Sequence, residues 1–256
     1  MPFLMVDHQK IFYTSHPGIT SHPPLVLIHG AGGNHLYWPP QLRRLPGVSV
    51  YAPDLPGHGR SAGQGCERIV DYREWLCTFA DALRLPPFVL AGHSMGGAIA
   101  LDFALAYPER LMGLGLVGAN SRLRVAPAIL QGIQNDFSAT TETLIQWMYG
   151  STVTPAQRRT YLQRLREVSP DLLYADFSAC DAFDVSARVG EIKLPTLIIG
   201  GQEDKMTPVK YSERLHEQIR QSELHLVAQA GHMMMLEQPA VVTALFAAFM
   251  DQVSTQ

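Results

Sequence analysis

The chain has 256 residues, of which 46% are hydrophobic and 17% charged, a balance typical of globular proteins and unlike that of disordered chains. Its net charge is −3 and it contains no block of like charges, so we expect neither a nucleic acid nor a membrane as a partner. The three cysteines lack C-x-x-C spacing, no apolar run reaches roughly 18 residues, and the start has no basic segment. These features predict a reduced, cytoplasmic protein without a cleaved signal.

Short apolar runs alternate along the chain with segments of helical character. The runs FLMV and KIFY near the start predict a hairpin. The later runs are apolar on both faces, as the strands of a helix-covered parallel sheet must be. These predicted strands occupy residues 25–29, 48–54, 88–92, 111–119, 196–201 and 224–227. Asp71 with Glu74 predicts a capping-box start for one of the intervening helices. The alternation predicts a doubly wound α/β fold.

Residues 121–185 interrupt this alternation. They contain two or three helical patterns and no convincing strand, and Thr154-Pro155-Ala156-Gln157 predicts a well-capped helix start. We therefore expect a core made of residues 1–120 and 186–256, with residues 121–185 inserted as a helical cap.

A glycine-flanked serine marks the end of the strand predicted at 88–92. Gly92-x-Ser94-x-Gly96 follows that strand and precedes a predicted helix, which is the setting of a nucleophile elbow. Glycine is needed at both flanking positions because the turn is too tight for side chains. The alternative is a plain glycine-rich turn in which the serine only caps the helix. The elbow interpretation predicts that Ser94 is presented for chemistry.

A serine hydroxyl needs a base, and the base needs a carboxylate that orients it. Asp204 follows the strand at 196–201, and His232 lies in the loop after the strand at 224–227. Both positions fall beyond the carboxyl ends of strands, where open α/β sheets carry functional groups. Glu203 is an alternative for the acid. Asn120 occupies another position where such folds place an acid, but it has no charge.

The run Gly30-Ala31-Gly32-Gly33 follows the strand at 25–29. Such a loop can bring a backbone N–H close to Ser94, so we expect the N–H groups of Ala31 and Met95 to form an oxyanion hole. A dinucleotide-binding loop would need a glycine where His35 stands, and no Lys-Ser or Lys-Thr pair follows to make a phosphate-binding loop.

Together with DLPGHGRS at 54–61, these motifs resemble the α/β-hydrolase superfamily, in particular single-domain bacterial carboxylesterases with a helical cap, including the pimeloyl-carrier-protein methyl ester esterase group. The resemblance implies an eight-stranded, mostly parallel sheet and a serine hydrolase mechanism. Asp54 and His58 match a loop that is usually structural in this superfamily. Ser94 at the elbow excludes the relatives that use a nucleophilic aspartate.

These expectations define a catalytic set of Ser94, Asp204 and His232 acting on a small-molecule ester with a small to medium acyl group, without a metal or an organic cofactor. Thioesters, lactones and carbon–carbon bonds are alternative substrates of the same residues, and a non-catalytic receptor is a further alternative. Trp147, Phe177 and Met233 are predicted to line the substrate pocket. An acyl carrier protein is a candidate partner for the helix that carries Arg159 and Arg166, and the protein is expected to be a monomer or a homodimer.

Overall fold

The computed structural model describes residues 3–18 and 22–255. Within them, eight strands form one sheet in the order β1-β2-β4-β3-β5-β6-β7-β8. The strands are β1 (Phe3–Val6), β2 (Gln9–His16), β3 (Leu25–Ile28), β4 (Val50–Pro53), β5 (Phe88–His93), β6 (Leu111–Val117), β7 (Thr196–Gly201) and β8 (Ser222–Val227). β2 runs antiparallel to both of its neighbours, β1 and β4, and all the other neighbouring pairs of strands are parallel. The eight-stranded, mostly parallel sheet is therefore confirmed.

The order of the strands decides where a site can form. β3 lies between β4 on one side and β5 on the other, so the connections after β3 and β5 diverge at the carboxyl edge of the sheet. Such a reversal of strand order opens a crevice at that edge. The elbow serine and the glycine loop both lie there.

The described ranges contain ten α-helices. They are α1 (Pro40–Arg43), α2 (Ile69–Ala82), α3 (Met95–Ala106), α4 (Pro127–Asn135), α5 (Phe137–Met148), α6 (Pro155–Arg166), α7 (Pro170–Ala182), α8 (Val209–Gln218), α9 (Met234–Glu237) and α10 (Pro239–Ser254). None of them is both long enough and apolar enough to cross a membrane.

Both faces of the central strands are buried. Along β3, Val26 and Ile28 pack into one hydrophobic cluster, with α2 and α3, while Leu25 and Leu27 pack into the other, with α10. Burial of successive residues on opposite faces explains why these strands are continuous apolar runs rather than alternating ones.

Four helices, α4 to α7, lie between β6 and β7, where the sequence indicated two or three. The count differs because one residue, Asp136, both ends α4 and caps α5, its side chain accepting the N–H of Ala139. The segment leaves and rejoins the sheet at adjacent points, since Arg122 and Asp184 pair in an isolated antiparallel bridge.

Two predicted helix starts have different outcomes. Thr154 and Gln157 form the expected capping box at the start of α6. The prediction for Asp71 was wrong, because α2 already begins at Ile69. The Asp71 carboxylate instead accepts hydrogen bonds from the Arg68 guanidinium, so Asp71 lies inside the first turn and does not cap it.

Candidate active site

Ser94 lies at the corner between β5 and α3 with φ 54° and ψ −115°, a backbone conformation that non-glycine residues rarely adopt. A side chain at Gly92 would overlap the carbonyl oxygen of Gly96, and one at Gly96 would overlap the carbonyl oxygen of Ile28. The strained turn is therefore compatible only with glycine on both sides of Ser94. Strain of this kind persists where the surrounding structure over-determines it.

Asp204 and His232 meet at the same edge of the sheet. Nδ1 of His232 lies 2.8 Å from Oδ2 of Asp204, and both side chains are almost completely buried. Asp204 follows β7 and His232 follows β8, which are parallel neighbours, so their carboxyl ends bring the two loops together. A carboxylate only accepts, so Nδ1 carries a proton towards Asp204, and Nε2 is the ring nitrogen that faces away from it.

Thr207, which the sequence reasoning missed, completes the environment of the Asp204 carboxylate. Its hydroxyl donates to Oδ2 of Asp204 over 2.7 Å and lies 3.2 Å from Nδ1 of His232. Oδ1 of Asp204 accepts the backbone N–H groups of Met206 and Thr207. An aspartate followed three residues later by threonine just before a helix is the signal that could have identified this contact.

The His232 loop is held on two sides. Nε2 of His93, next to the elbow serine, lies 3.0 Å from the carbonyl oxygen of His232. The backbone N–H of His232 donates to the carbonyl oxygen of Met148, at the end of α5. Burial, and secondarily the nearby His232, keep the pKa of His93 well below its usual value, so this imidazole is neutral and donates through Nε2. Its buried Nδ1 has no hydrogen-bond partner among the described residues.

Ser94 and His232 line one small cavity of about 40 Å³. Among the hydrogen bonds of the described residues, none joins their side chains, and such contacts often tighten only when substrate is bound. The wall is largely apolar, with Leu144, Met148, Leu165, Leu173, Phe177 and Met206 contributing. A wider cleft of about 670 Å³ adjoins this cavity, because Tyr37, Met148 and Leu165 line both.

The glycine loop forms a tight turn beside the cavity. The N–H of Gly33 donates to the carbonyl oxygen of Gly30 over 3.0 Å, and Gly32 has a positive φ of 61°. Ala31 lines the cavity, and Met95 is the first residue of α3, where N–H groups lack partners within the helix. Within the described ranges, neither of these two N–H groups donates to another residue. Both are free to bind an oxygen atom.

The three predicted pocket residues lie in different places. Phe177 lines the cavity that contains Ser94. Trp147 does not, because α5 directs Leu144 and Met148 towards the cavity and leaves Trp147 on the outer face, 36% exposed. Met233 is completely buried in the core rather than at the cavity wall. The spacing of Leu144 and Met148, four residues apart, could have identified the inward face of α5.

The alternative acids make their hydrogen bonds to groups other than His232. The exposed carboxylate of Glu203 accepts the backbone N–H and the hydroxyl of Ser151. The amide of Asn120 donates to the carbonyl oxygen of Arg122. Asp54 accepts hydrogen bonds from His35 and from the N–H of Arg60, in agreement with a structural loop. Of these candidate acids, Asp204 is the one whose carboxylate lies within hydrogen-bond distance of His232.

Residues 25–245 match the Alpha/beta hydrolase family, so the chain belongs to this family and is a hydrolase. The 2-hydroxy-6-oxo-6-phenylhexa-2,4-dienoate hydrolase of Burkholderia cepacia is 31% identical over 237 residues, which cover 81% of this chain and 80% of that relative. The pimeloyl-[acyl-carrier protein] methyl ester esterase of Serratia marcescens is 28% identical over 240 residues, which cover 88% and 92%. A solved structure of a thermophilic esterase has a TM-score of 0.86 and 31% identity, and the match covers 98% of this chain and 97% of that one.

Proposed function

We propose that this hydrolase cleaves carboxylic esters through an acyl-enzyme on Ser94. The observation that carries the proposal is the 2.8 Å contact between Asp204 and His232 at a cavity onto which a strained elbow serine also opens. The similarity to a methyl ester esterase and to a thermophilic esterase supports the same reaction class.

In the proposed mechanism, Nε2 of His232 accepts the Ser94 proton while the hydroxyl oxygen attacks the acyl carbon. The electron pair of the carbonyl bond moves to oxygen, and the N–H groups of Ala31 and Met95 stabilise that oxyanion. As the oxyanion collapses, the bond to the alcohol breaks, and the alcohol leaves with the proton from His232. Water, deprotonated by His232, then releases the acid in the same two steps. Asp204 stabilises the imidazolium formed in each step.

The shape of the site supports an ester with a short acyl group. The apolar cavity at Ser94 has a volume of only about 40 Å³, whereas the adjoining cleft of about 670 Å³ can accept the larger part of the molecule. Apolar walls exclude water and strengthen the interaction of the oxyanion with the two N–H groups.

A fluorophosphonate probe and a panel of p-nitrophenyl esters test the proposal. We expect a single label on the wild type, no label on Ser94→Ala, and a loss of ester turnover by several orders of magnitude. Ser212→Ala is the matched control, because it removes a buried serine hydroxyl of α8 that has no partner among the described residues. Full labelling of Ser94→Ala would contradict the proposal.

A carbon–carbon bond hydrolase is the second candidate, because the Burkholderia cepacia relative cleaves a dienoate and is 31% identical over 81% of the chain. The same serine, histidine and aspartate would serve both reactions, so labelling does not separate them. The two reactions can be separated by a substrate panel that contains esters, thioesters, lactones and a vinylogous diketone. Turnover of the diketone with esters left intact would favour the second candidate.

We also infer an acidic carrier protein as a candidate partner, because α6 exposes Arg159 and Arg164, and Arg164 lines the wider cleft. Arg166 is already engaged, since its guanidinium donates to Ser138 and to Glu142. Arg159→Glu should therefore weaken salt-sensitive turnover of a carrier-linked ester more than Arg166→Glu does. If the wild type, Arg159→Glu and Arg166→Glu all turn over carrier-linked and free esters equally well, a carrier protein is not a partner.

A further inference from the structure

A buried carboxylate of α7 joins the cap region to the glycine loop. Asp176 is completely buried, and its two oxygens accept hydrogen bonds from three separate segments. Oδ2 accepts the backbone N–H of Gly32 over 2.7 Å and lies 2.8 Å from Nε2 of His58. Oδ1 accepts the hydroxyl of Tyr72, in α2, over 2.7 Å. None of these groups has a role in the proposed mechanism.

The imidazole of His58 is the ion-pair partner of the buried Asp176 carboxylate as well as a hydrogen-bond partner. Burial lowers the pKa of His58, but the charge of Asp176, the hydrogen bonds to Asp176 and Pro56 and the charge of Asp54 together raise that pKa to above its usual value. Both ring nitrogens of His58 face oxygen acceptors, because Nδ1 lies 2.9 Å from the carbonyl oxygen of Pro56, and this arrangement suits an imidazolium paired with the Asp176 carboxylate. Burial of such a pair is costly unless its geometry is good and its remaining oxygen is satisfied, and both conditions are met here.

The Gly32 contact fixes one peptide plane. In the turn from Gly30 to Gly33, Ala31 and Gly32 are the central residues, and the positive φ of Gly32 is the mark of a type II turn. The peptide between them can rotate into the type I arrangement at little cost in an isolated turn. Here that rotation would replace the N–H of Gly32 by the Ala31 carbonyl oxygen next to the Asp176 carboxylate. Repulsion between the two oxygens opposes it.

We propose that Asp176 is a positioning residue for the oxyanion hole: it anchors the turn at Gly32 and thereby holds the neighbouring N–H of Ala31 in place beside the cavity. This inference rests on the proposed function. It also links two parts of the site, because the next residue, Phe177, lines the cavity from the same helix. Docking of α7 then forms the acyl wall and orders the oxyanion loop together.

The test compares Asp176→Asn and Asp176→Ala with Tyr72→Phe. Tyr72→Phe is the matched control, because it removes a hydrogen bond of equal length from the same carboxylate and leaves the Gly32 contact intact. We expect kcat to fall about tenfold in Asp176→Asn, where at best a neutral acceptor remains, and about 100-fold in Asp176→Ala. KM should stay within about twofold, because the acyl wall is unchanged, and Tyr72→Phe should keep kcat within about twofold.

Two further readouts separate positioning from a loss of stability. The Kd for a trifluoromethyl ketone, which forms an oxyanion on Ser94, should rise in parallel with the loss of kcat/KM, while the Kd for the product acid stays constant. The Gly32 amide proton should resonate downfield in the wild type and move upfield in Asp176→Asn, which keeps the inference testable if Asp176→Ala does not fold.

Values of kcat for both Asp176 variants within about twofold of the Tyr72→Phe value would overturn the inference. In that case a wild type that is labelled on Ser94 and cleaves esters would leave the proposed function intact. A wild type that is not labelled would overturn both.

Discussion

At the scale of single residues, Thr207 offers a direct test of how Asp204 is oriented. Thr207→Val keeps the volume and both backbone contacts to Oδ1 but removes the hydroxyl that donates to Oδ2. A hydrogen bond to a charged group contributes about 1.5–3 kcal/mol, so we expect kcat to fall about tenfold or more with little change in KM. Steady-state kinetics with a p-nitrophenyl ester measures the effect.

Thr243→Val is the matched control for that experiment. The Thr243 hydroxyl, in α10, is buried and has no hydrogen-bond partner among the described residues. Its removal should leave kcat unchanged. An equal fall in both variants would mean that the loss comes from the core and not from the Asp204 carboxylate.

Single residues also show what the sequence could and could not predict. Ser94, Asp204 and His232 could be selected because each stands at a fixed point of local structure, just after a strand, and the order of the strands then brought Asp204 to His232. Asp176 could not be selected. It lies in the middle of α7, and only tertiary packing sets which groups surround its carboxylate.

At the scale of elements, the orientations of α5 and α7 predict different effects for one aromatic residue of each helix. Phe177→Ala should enlarge the cavity, so the acyl chain length at which kcat/KM is highest should increase. For each additional methylene that fits, kcat/KM should rise about fourfold. Trp147→Ala is the control, because Trp147 lies on the outer face and should not move the optimum. An unchanged profile in Phe177→Ala, or the same shift in both variants, would contradict this arrangement.

Strand boundaries could be predicted from the sequence more accurately than the number of helices between β6 and β7. Strands such as β7 could be delimited because apolar runs end at glycine, proline or charged residues, and β7 occupies 196–201 as expected. The number of helices between β6 and β7 could not be counted correctly. A corner of one residue, Asp136, leaves almost no break in the apolar periodicity of α4 and α5.

At the scale of the whole molecule, His29 should make stability dependent on pH. Its Nε2 accepts the N–H of Leu55, and burial, with a smaller contribution from His58, lowers its pKa from 6.5 to about 4. As the pH falls from 6.5, the unfolded chain therefore binds a proton that the folded chain does not. The free energy of unfolding should decrease down to about pH 4, by about 3 kcal/mol in total.

Chemical denaturation of wild type, His29→Asn and Leu27→Ala between pH 4 and 7 measures this contribution. The stability difference between wild type and His29→Asn should shrink as the pH falls. The difference from Leu27→Ala, which removes a buried group of β3 that does not titrate, should stay constant. A constant difference for His29→Asn would assign the acid sensitivity to other groups.

Because the bridge between Arg122 and Asp184 brings both ends of the four-helix segment to one point, we expect this segment to be exchangeable as a module. Recombination can replace the segment with another of different length while the order of the strands is preserved. A graft that closes correctly at this junction still needs a carboxylate that reaches Gly32 and His58. Chimaeras with equally well folded cores should therefore differ in kcat by up to about 100-fold, according to whether the incoming helix carries an acid at that place.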